Sequence, residues 1–309
     1  MLSVRDAFFN EICDLVKSGE DIYIITADLG APSLDEFREK FSERYISVGI
    51  AEQSLVSIAS GLALGGKKVI AYGLNPFPIT RAFDQVRCLM AELNIPITLC
   101  ALNAGLCSAE CGYTHIPVED MTMMRPLGNV RTFNPTDETI ATKLAMETAN
   151  CKYPRFIRFD KSLKGVMYSD KQVDFSDGFV CLKGKGHYDI GIVTCGCYAK
   201  ELRDWASGES GVQLIDIFEF PNNKTKLLEV IKDCDAILTA EENVLSGGIG
   251  SYVLEILSDS ATAKPVKRLG LDFKDGYYDV FTDREYIRKS QGISIEDIIR
   301  TAERLKGAL

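Results

Sequence analysis

A glutamate stands at the junction between a predicted strand and a predicted helix. The strand-like run YISVGI (45–50) leads directly into AEQSLVSIASGLAL (51–64), which has helical apolar spacing and begins with Ala51-Glu52-Gln53. Ligands of open parallel sheets bind beyond the carboxyl ends of the strands. Glu52 therefore has two interpretations. It is either a charge that stabilises the start of the helix or a buried acid, kept protonated by an apolar pocket, that donates a hydrogen bond.

A histidine in a glycine-containing loop is the second candidate. The segment ECGYTHIPVED (110–120) follows the strand-like run PITLCALN (96–103) and precedes a helix that begins with acidic residues. The chain has only two histidines, His115 and His187, so any histidine-based catalysis or zinc binding would have to use one of them. His115 is open to a catalytic or a structural interpretation. His187, at the start of a strand, is interpreted as a surface or interdomain hydrogen-bonder.

Alternating strand-like and helix-like segments must position these residues. Helical and strand periodicities follow each other from residue 3 to the run RFIRFD (155–160), with helices predicted over TRAFDQVRCLMAEL (80–93) and VEDMTMMRPL (118–127). This alternation is typical of a mainly parallel sheet with helices on both faces. Residues 162–188 are mostly polar and are interrupted by glycines. A second strand–helix series begins at 185 and includes the strand CDAILTAEE (234–242) and the helix GGIGSYVLEIL (247–257). We therefore predict an α/β protein with two doubly wound domains, 1–165 and 185–309, joined by a linker at 166–184.

Composition excludes several classes of protein. The 309 residues carry a net charge of −9, which argues against nucleic-acid binding through a basic surface. No apolar run approaches the roughly 18 residues of a membrane span, and the N-terminus lacks the apolar core of a signal peptide. None of the ten cysteines forms a CxxC pair. We expect buried free thiols, no membrane association and a cytoplasmic location.

Six spaced motifs together resemble one family. GIAEQ with its GLALG helix, THxPxEDMxMMR, NPxD and FIRFD resemble the pyrimidine-binding domain of transketolase and its thiamine diphosphate relatives. TAEENVLSGGIGS (239–251) is similar to the transketolase C-terminal domain. The resemblance implies a parallel-sheet pyrimidine-binding domain followed by a mixed-sheet C-terminal domain. It also favours helix–sheet packing over a phosphate loop for the glycines at 247–250.

The resemblance implies a role for individual residues in binding thiamine diphosphate. Glu52 matches the glutamate that hydrogen-bonds N1′ of the aminopyrimidine and promotes its imino tautomer. Ile50 and Phe77 match cofactor-contacting positions, although Phe77 is also compatible with an ordinary core position. Arg81 resembles an arginine beside the pyrimidine in deoxyxylulose-phosphate synthases. His115 matches the histidine that hydrogen-bonds the donor substrate and stabilises the developing alkoxide.

The predicted substrate residues depart from the family pattern. Cys111 stands where the family has an aspartate that bonds a donor hydroxyl, and Asn103 stands where transketolases often have a histidine. Lys161 lies near the position of a family arginine that binds a sugar phosphate. Lysine binds phosphate as a point charge, without the two parallel hydrogen bonds that a guanidinium can donate. We expect Asn103, Cys111, His115 and Lys161 to contact the substrate.

The family's diphosphate-binding signature, Gly-Asp-Gly, occurs nowhere in the chain. The resemblance therefore implies the C-terminal half of a split transketolase, which needs a separate N-terminal diphosphate-binding subunit, in an α2β2 assembly. Thiamine diphosphate is the implied cofactor. The partner subunit would ligate Mg²⁺ (or Ca²⁺), and no metal ligand is expected in this chain.

The expected activity is transfer of a two-carbon ketol unit between a ketose and an aldose or their phosphates. The altered substrate residues suggest a specialised sugar or surface-polysaccharide pathway. One alternative is a 2-oxo-acid dehydrogenase β subunit or a deoxyxylulose-phosphate-synthase-like protein, which would begin by decarboxylating an oxo acid. Another is a non-catalytic interaction subunit, for which the loss of the aspartate at Cys111 is the only argument.

Overall fold

The computed structural model describes residues 1–273, 276 and 282–308, and the chain divides into two compact units. The first unit comprises Met1–Ala104 and Met123–Asp170, and the second comprises Gly105–Thr122 and Lys171–Leu309. The described helices are α1 (Val4–Lys17), α2 (Asp35–Lys40), α3 (Glu52–Leu64), α4 (Phe77–Thr80), α5 (Phe83–Gln85), α6 (Asp120–Met124), α7 (Glu138–Thr148), α8 (Cys197–Gly208), α9 (Lys224–Lys232), α10 (Ile249–Asp259), α11 (Arg284–Ser290) and α12 (Ile295–Lys306). The strands are β1 (Ile22–Thr26), β2 (Tyr45–Ser47), β3 (Lys68–Leu74), β4 (Ile97–Leu102), β5 (Arg131–Phe133), β6 (Arg155–Phe159), β7 (Phe179–Cys181), β8 (Tyr188–Thr194), β9 (Val212–Ile217), β10 (Glu219–Phe220), β11 (Cys234–Val244) and β12 (Val266–Leu271).

The first unit is built on parallel strands in the order β5-β6-β4-β3-β1-β2. In the centre of this sheet Ile24 of β1 lies opposite Ile70 of β3, which lies opposite Thr98 of β4. Because the strands are parallel, their carboxyl ends meet at one edge of the sheet. Residues that directly follow β2, β3, β4 and β6 are therefore brought to that edge.

Alternate side chains of the central strands enter two apolar layers. Val69 and Ala71 of β3 pack in one layer with Leu55 of α3. Tyr72 points to the opposite face, where its ring meets that of Phe9 in α1 at a centroid distance of 4.8 Å. Both faces are covered, which is why these strands read as nearly continuous apolar runs in the sequence.

The second unit has a mixed five-stranded sheet in the order β12-β11-β8-β9-β7, in which β7 alone runs antiparallel to its neighbour β9. One face is packed by Leu227 of α9 and Val253 of α10 against Ile215 and Ile237 of the sheet. The predicted α/β class with a parallel and a mixed sheet is confirmed. Within the described residues, no helix has the length and apolarity needed to cross a membrane.

Two predicted helices are shorter or more irregular than expected. The predicted helix over 80–93 is split into α5 and a π-helical stretch at Val86–Glu92, while Arg81 lies at the end of the separate short helix α4. The predicted helix over VEDMTMMRPL contains only α6, which ends at Met124. Pro126 accounts for this end, because the residue before a proline is disfavoured in helical conformation.

The region predicted as a linker contains ordered structure. Strand β7 lies within 166–184, and Met167 and Tyr168 are buried. Their backbone N–H groups donate to Asp137 Oδ2 at 2.7 and 2.8 Å, while Asp137 Oδ1 caps α7 through the N–H of Ile140. This order could not be predicted from the local sequence, because the backbone N–H groups of a polar segment are hydrogen-bonded by one carboxylate about 30 residues away in the chain.

Candidate active site

Glu52 is the first residue of α3 and follows the carboxyl end of β2. Only 7% of its surface is exposed, and it borders a shallow pocket at the carboxyl edge of the first sheet. Ile50, on the rim of the same pocket, exposes 74% of its surface. The described lining consists of Ile50, Ala51, Glu52, Gln53, Ser54 and Arg81. A buried carboxyl group thus lies beside an exposed apolar side chain.

Arg81 connects Glu52 to an aromatic ring. Its Nη1 lies 3.3 Å from Glu52 Oε1 and 3.4 Å from Oε2, and its guanidinium carbon lies 4.0 Å from the centroid of the Phe77 ring. Ion-pair and cation–π attraction both act on this one guanidinium. The structure therefore brings together Ile50, Glu52, Phe77 and Arg81, the four residues predicted to bind the cofactor.

Gln53 also belongs to this site, although the sequence predicted no role for it. Its Nε2 donates a hydrogen bond of 3.1 Å to the carbonyl oxygen of Arg81, 28 residues away. This bond ties the first turn of α3 to the end of α4 and so helps to place the guanidinium. The only signal in the sequence was its position directly after Glu52 in the GIAEQ motif.

Two predicted substrate residues follow neighbouring strands of the same sheet. Asn103 comes directly after β4 and is only 2% exposed; its backbone N–H donates to Phe159 O at 2.9 Å, and its carbonyl accepts from Asn75 Nδ2 at 2.9 Å. Lys161, two residues after the end of β6, is exposed. Both lie at the carboxyl edge, and their contact with substrate stays a prediction.

The other two predicted substrate residues belong to the loop 105–122 of the second unit. Cys111 is exposed at the end of a 3₁₀ turn, Ala109–Cys111, and His115 is half-buried at the end of the next one, Tyr113–His115. His115 Nδ1 lies 2.8 Å from Thr114 Oγ1. The two side chains therefore occur on successive turns of one loop, and their roles stay predictions.

The glycine-rich segment at 247–250 already holds a carboxylate of this chain. Glu241 accepts hydrogen bonds from the backbone N–H groups of Ile249 and Gly250, at 2.7 and 2.9 Å, at the start of α10. A helix start of this kind would otherwise be suited to an anion. The interpretation as helix–sheet packing agrees with this geometry. His187 is an exposed side chain 3.0 Å from Asp235 Oδ2, as expected of a surface hydrogen-bonder.

Comparisons with known proteins agree over nearly all of the chain. Residues 1–165 match the family model of the transketolase pyrimidine-binding domain. The chain is 32% identical to an apulose-4-phosphate transketolase subunit of Actinobacillus succinogenes, over 93% of both chains. It is 28% identical to 1-deoxy-D-xylulose-5-phosphate synthase of Caldanaerobacter subterraneus, over 97% of this chain but 48% of that enzyme. A solved structure described as a split gene transketolase, inactive β4 tetramer, superposes with a TM-score of 0.83 at 26% identity and 99% coverage of both chains.

The fold and the Glu52 site define a protein with a pyrimidine-binding α/β domain and a second, mixed-sheet α/β domain. The chain belongs to the transketolase family, whose members are thiamine diphosphate-dependent transferases. The chain is similar over 93% or more of its length to one subunit of a transketolase and to a split-gene transketolase, which confirms the prediction of a C-terminal-type transketolase subunit.

Proposed function

We propose that this chain is the β-type subunit of a heteromeric transketolase that transfers a two-carbon ketol unit from a ketose to an aldose. The observation that carries the proposal is the carboxyl group of Glu52, buried at the start of α3 yet bordering an open pocket. Arg81 and Phe77 lie beside it in an arrangement suited to a flat heteroaromatic ring. The similarity to a subunit of apulose-4-phosphate transketolase supports the same activity.

The residues around this pocket fit the aminopyrimidine half of thiamine diphosphate. Glu52 offers a carboxyl oxygen for a hydrogen bond to a ring nitrogen, and Ile50 and Phe77 offer apolar surface. When bound, the cofactor supplies the nucleophilic carbon and the electron sink that hold the two-carbon unit. Glu52 would hold and return a proton at the ring nitrogen, as a buried acid beside the reacting group can do.

The metal and the diphosphate require residues that this pocket does not provide. Glu52 is the single carboxylate among the six described residues that line it, whereas Mg²⁺ prefers several oxygen ligands. We therefore assign the Mg²⁺ (or Ca²⁺) ligands to an N-terminal diphosphate-binding subunit. The face of α3 next to the pocket is exposed at Ser57, Ile58 and Gly61, and its small and apolar side chains suit close packing by that partner in an α2β2 assembly.

The substrate half of the site is assigned to Asn103, Cys111, His115 and Lys161. His115 would hydrogen-bond the donor, and Lys161 would attract a phosphate as a point charge. The thiol of Cys111 is a weaker hydrogen-bonding group than the family's carboxylate, which favours a donor different from that of ordinary transketolases. The name of the Actinobacillus succinogenes relative, which specifies apulose-4-phosphate, supports a phosphorylated sugar and a specialised sugar pathway.

A second candidate function is decarboxylation of an oxo acid in the manner of deoxyxylulose-phosphate synthase. The position of Arg81 beside Glu52 and Phe77 favours it, because this arginine resembles one found in those synthases. The 28% identity to the Caldanaerobacter subterraneus enzyme, over 97% of this chain, is consistent with it. Pyruvate and a ketose phosphate are therefore the two donors that separate the candidates.

The test is reconstitution with the diphosphate-binding transketolase subunit of the same organism. The purified complex, supplied with thiamine diphosphate and Mg²⁺, should cleave a ketose phosphate donor in the presence of an aldose acceptor, and neither chain alone should do so. Glu52→Gln should lower the rate by about 100-fold or more, the usual contribution of acid–base catalysis. Glu138→Gln is the matched control, because Glu138 is the first residue of α7 in the same unit and should not be needed for activity.

Three results would contradict the proposal. Decarboxylation of pyruvate without ketose cleavage would favour the synthase-like function. Full activity of the Glu52→Gln complex would indicate that this chain is a non-catalytic subunit. Failure of the two chains to associate would remove the heteromeric assembly on which the proposal depends.

A further inference from the structure

The loop that carries His115 begins against the carboxylate of Glu242, near the end of β11. The backbone N–H of Leu106 donates a hydrogen bond of 3.0 Å to Glu242 Oε2. The preceding residue, Gly105, has a φ of +55°, and a Cβ atom there would lie 2.6 Å from the same oxygen. Glycine therefore allows the backbone to turn and to approach the carboxylate closely.

The end of the same loop is held by the residues that follow Glu242. Asn243 Nδ2 donates to the carbonyl oxygen of Val118 at 3.0 Å and to Asp120 Oδ1 at 3.1 Å. Thr122 Oγ1 donates to the carbonyl oxygen of Ser246 at 2.6 Å. One short stretch of chain, residues 242–246, thus binds the loop at its beginning and at its end, and we call it the anchor segment.

Apolar side chains fill the space within this part of the second unit. Both ends of the loop contribute buried residues to a separate cluster with the end of β12, α11 and the end of the turn before α12. Its buried members are Leu106, Ala109, Ile116, Val118, Leu271, Ile287 and Ile293. The backbone on both sides of Cys111 and His115 is therefore packed, while Cys111 is exposed and His115 half-buried.

Two arginines fix the carboxylate that anchors the loop. Arg284 donates to both oxygens of Glu242, each at 2.7 Å, and Arg288 Nε donates to Oε1 at 2.6 Å. Arg288 is itself buried and also pairs with Glu201 at 2.9 Å. Charge-assisted bonds of this geometry are short and directional, so the Glu242 side chain has a single well-defined position.

We propose that Glu242 and Asn243 are positioning residues that hold the loop 105–122 so that His115 meets the donor substrate. The proposal rests on the proposed function, which gives His115 its role. Displacement of a reacting group by about 1 Å can cost about 100-fold in rate, so rigid support of this loop has a direct catalytic effect. The neighbouring Glu241 is also buried, but it accepts hydrogen bonds from the start of α10 instead of from the loop, so a change there tests general packing without loosening the loop.

The first test follows the loop without any assay of activity. In Glu242→Gln and in Asn243→Ala, amide hydrogen exchange across 105–122 should rise by at least about tenfold, since each change removes buried hydrogen bonds of the loop. Glu241→Gln, the matched control, should instead speed exchange at the start of α10. The imidazole NMR signals offer an internal reference: the His115 signal should shift in the two anchor variants, and the exposed His187 signal should not.

The second test is a double-mutant cycle in the reconstituted complex. Glu242→Gln should lower kcat/KM for the donor by about 100-fold. It should cause little further loss when His115 is already replaced by Gln, because both changes act through the contact between His115 and the donor. Additive losses would overturn the proposal, as would unchanged exchange of 105–122. If Glu242→Gln does not fold, Asn243→Ala decides both tests, because it leaves the arginine pairs intact. If the wild-type complex does not cleave a ketose, only the proposed function is contradicted. Amide hydrogen exchange and the His115 NMR signal would still test whether the anchor segment holds the loop.

Discussion

Acid should destabilise this protein through Glu242. Burial raises the pKa of this carboxyl, but the guanidinium groups of Arg284 and Arg288 outweigh it and lower the pKa from 4.5 to about 2. A carboxyl whose pKa is lowered by folding stabilises the folded state above its unfolded pKa, and this stability is lost as the pH falls through the folded value. At about 1.4 kcal/mol per pH unit, Glu242 contributes about 3 kcal/mol at pH 7, and we expect this contribution to fade between pH 4.5 and 2.

The measurement is urea unfolding of the wild type and of Glu242→Gln at several pH values from 7 to 3, in otherwise identical buffers. At pH 7 the variant should be less stable by about 3–5 kcal/mol, because it removes the carboxylate that pairs with both the buried Arg288 and the half-buried Arg284. The difference between the two proteins should shrink as the pH falls below 4.5. Other carboxyls with a lowered pKa, such as Glu36, act equally in both proteins and cancel. A difference that stays constant over this range would refute the assignment of a charged, arginine-stabilised Glu242.

Two further predictions concern packing and thiol reactivity. Gly248→Ala should lower the free energy of unfolding by about 1–3 kcal/mol, because the added Cβ would lie 1.9 Å from a Glu241 oxygen that is held by the start of α10. Gly208→Ala, at an open site in α8, is the control and should be neutral or slightly stabilising. Chemical denaturation measures both variants, and equal effects would contradict the close packing at Gly248. Iodoacetamide should modify Cys111 first, since it is the one exposed cysteine of the ten and burial raises the pKa of Cys181 and Cys234 to about 12. Peptide mass spectrometry over time gives the order, and early labelling of Cys100 would be inconsistent with its burial in β4.

Glu52 shows which part of the site could be predicted from the sequence. The run YISVGI and the periodic helix that follows it are local patterns, so the position of Glu52 at the start of α3 could be predicted directly. Asn103 and Lys161 were predicted from the family resemblance, and the structure shows that they follow β4 and β6 at the same edge of the sheet. The family resemblance added the identity of the ring expected beside Glu52.

Gln53 and Arg81 show why the remainder of that site could not be predicted. The bond between them joins residues 28 positions apart, and the guanidinium reaches both Glu52 and Phe77 only because α4 ends where the sheet edge brings it close to α3. The sequence predicted a single helix over 80–93. The break at Arg81, which frees this side chain for the site, depends on packing rather than on a local pattern.

The two adjacent glutamates of β11 separate most clearly what the local sequence predicts from what depends on tertiary packing. Strand periodicity and the TAEEN motif were enough to predict a buried strand that ends in acidic residues and precedes a helix. They could not predict that Glu241 binds the start of α10 while Glu242 binds Leu106, 136 residues earlier in the chain. Neighbouring side chains of a strand point in opposite directions, so their partners depend on what the fold packs against each side of the sheet. Hydrophobic periodicity is a property of neighbouring residues, whereas hydrogen-bond partners distant in the chain exist only once the elements have packed.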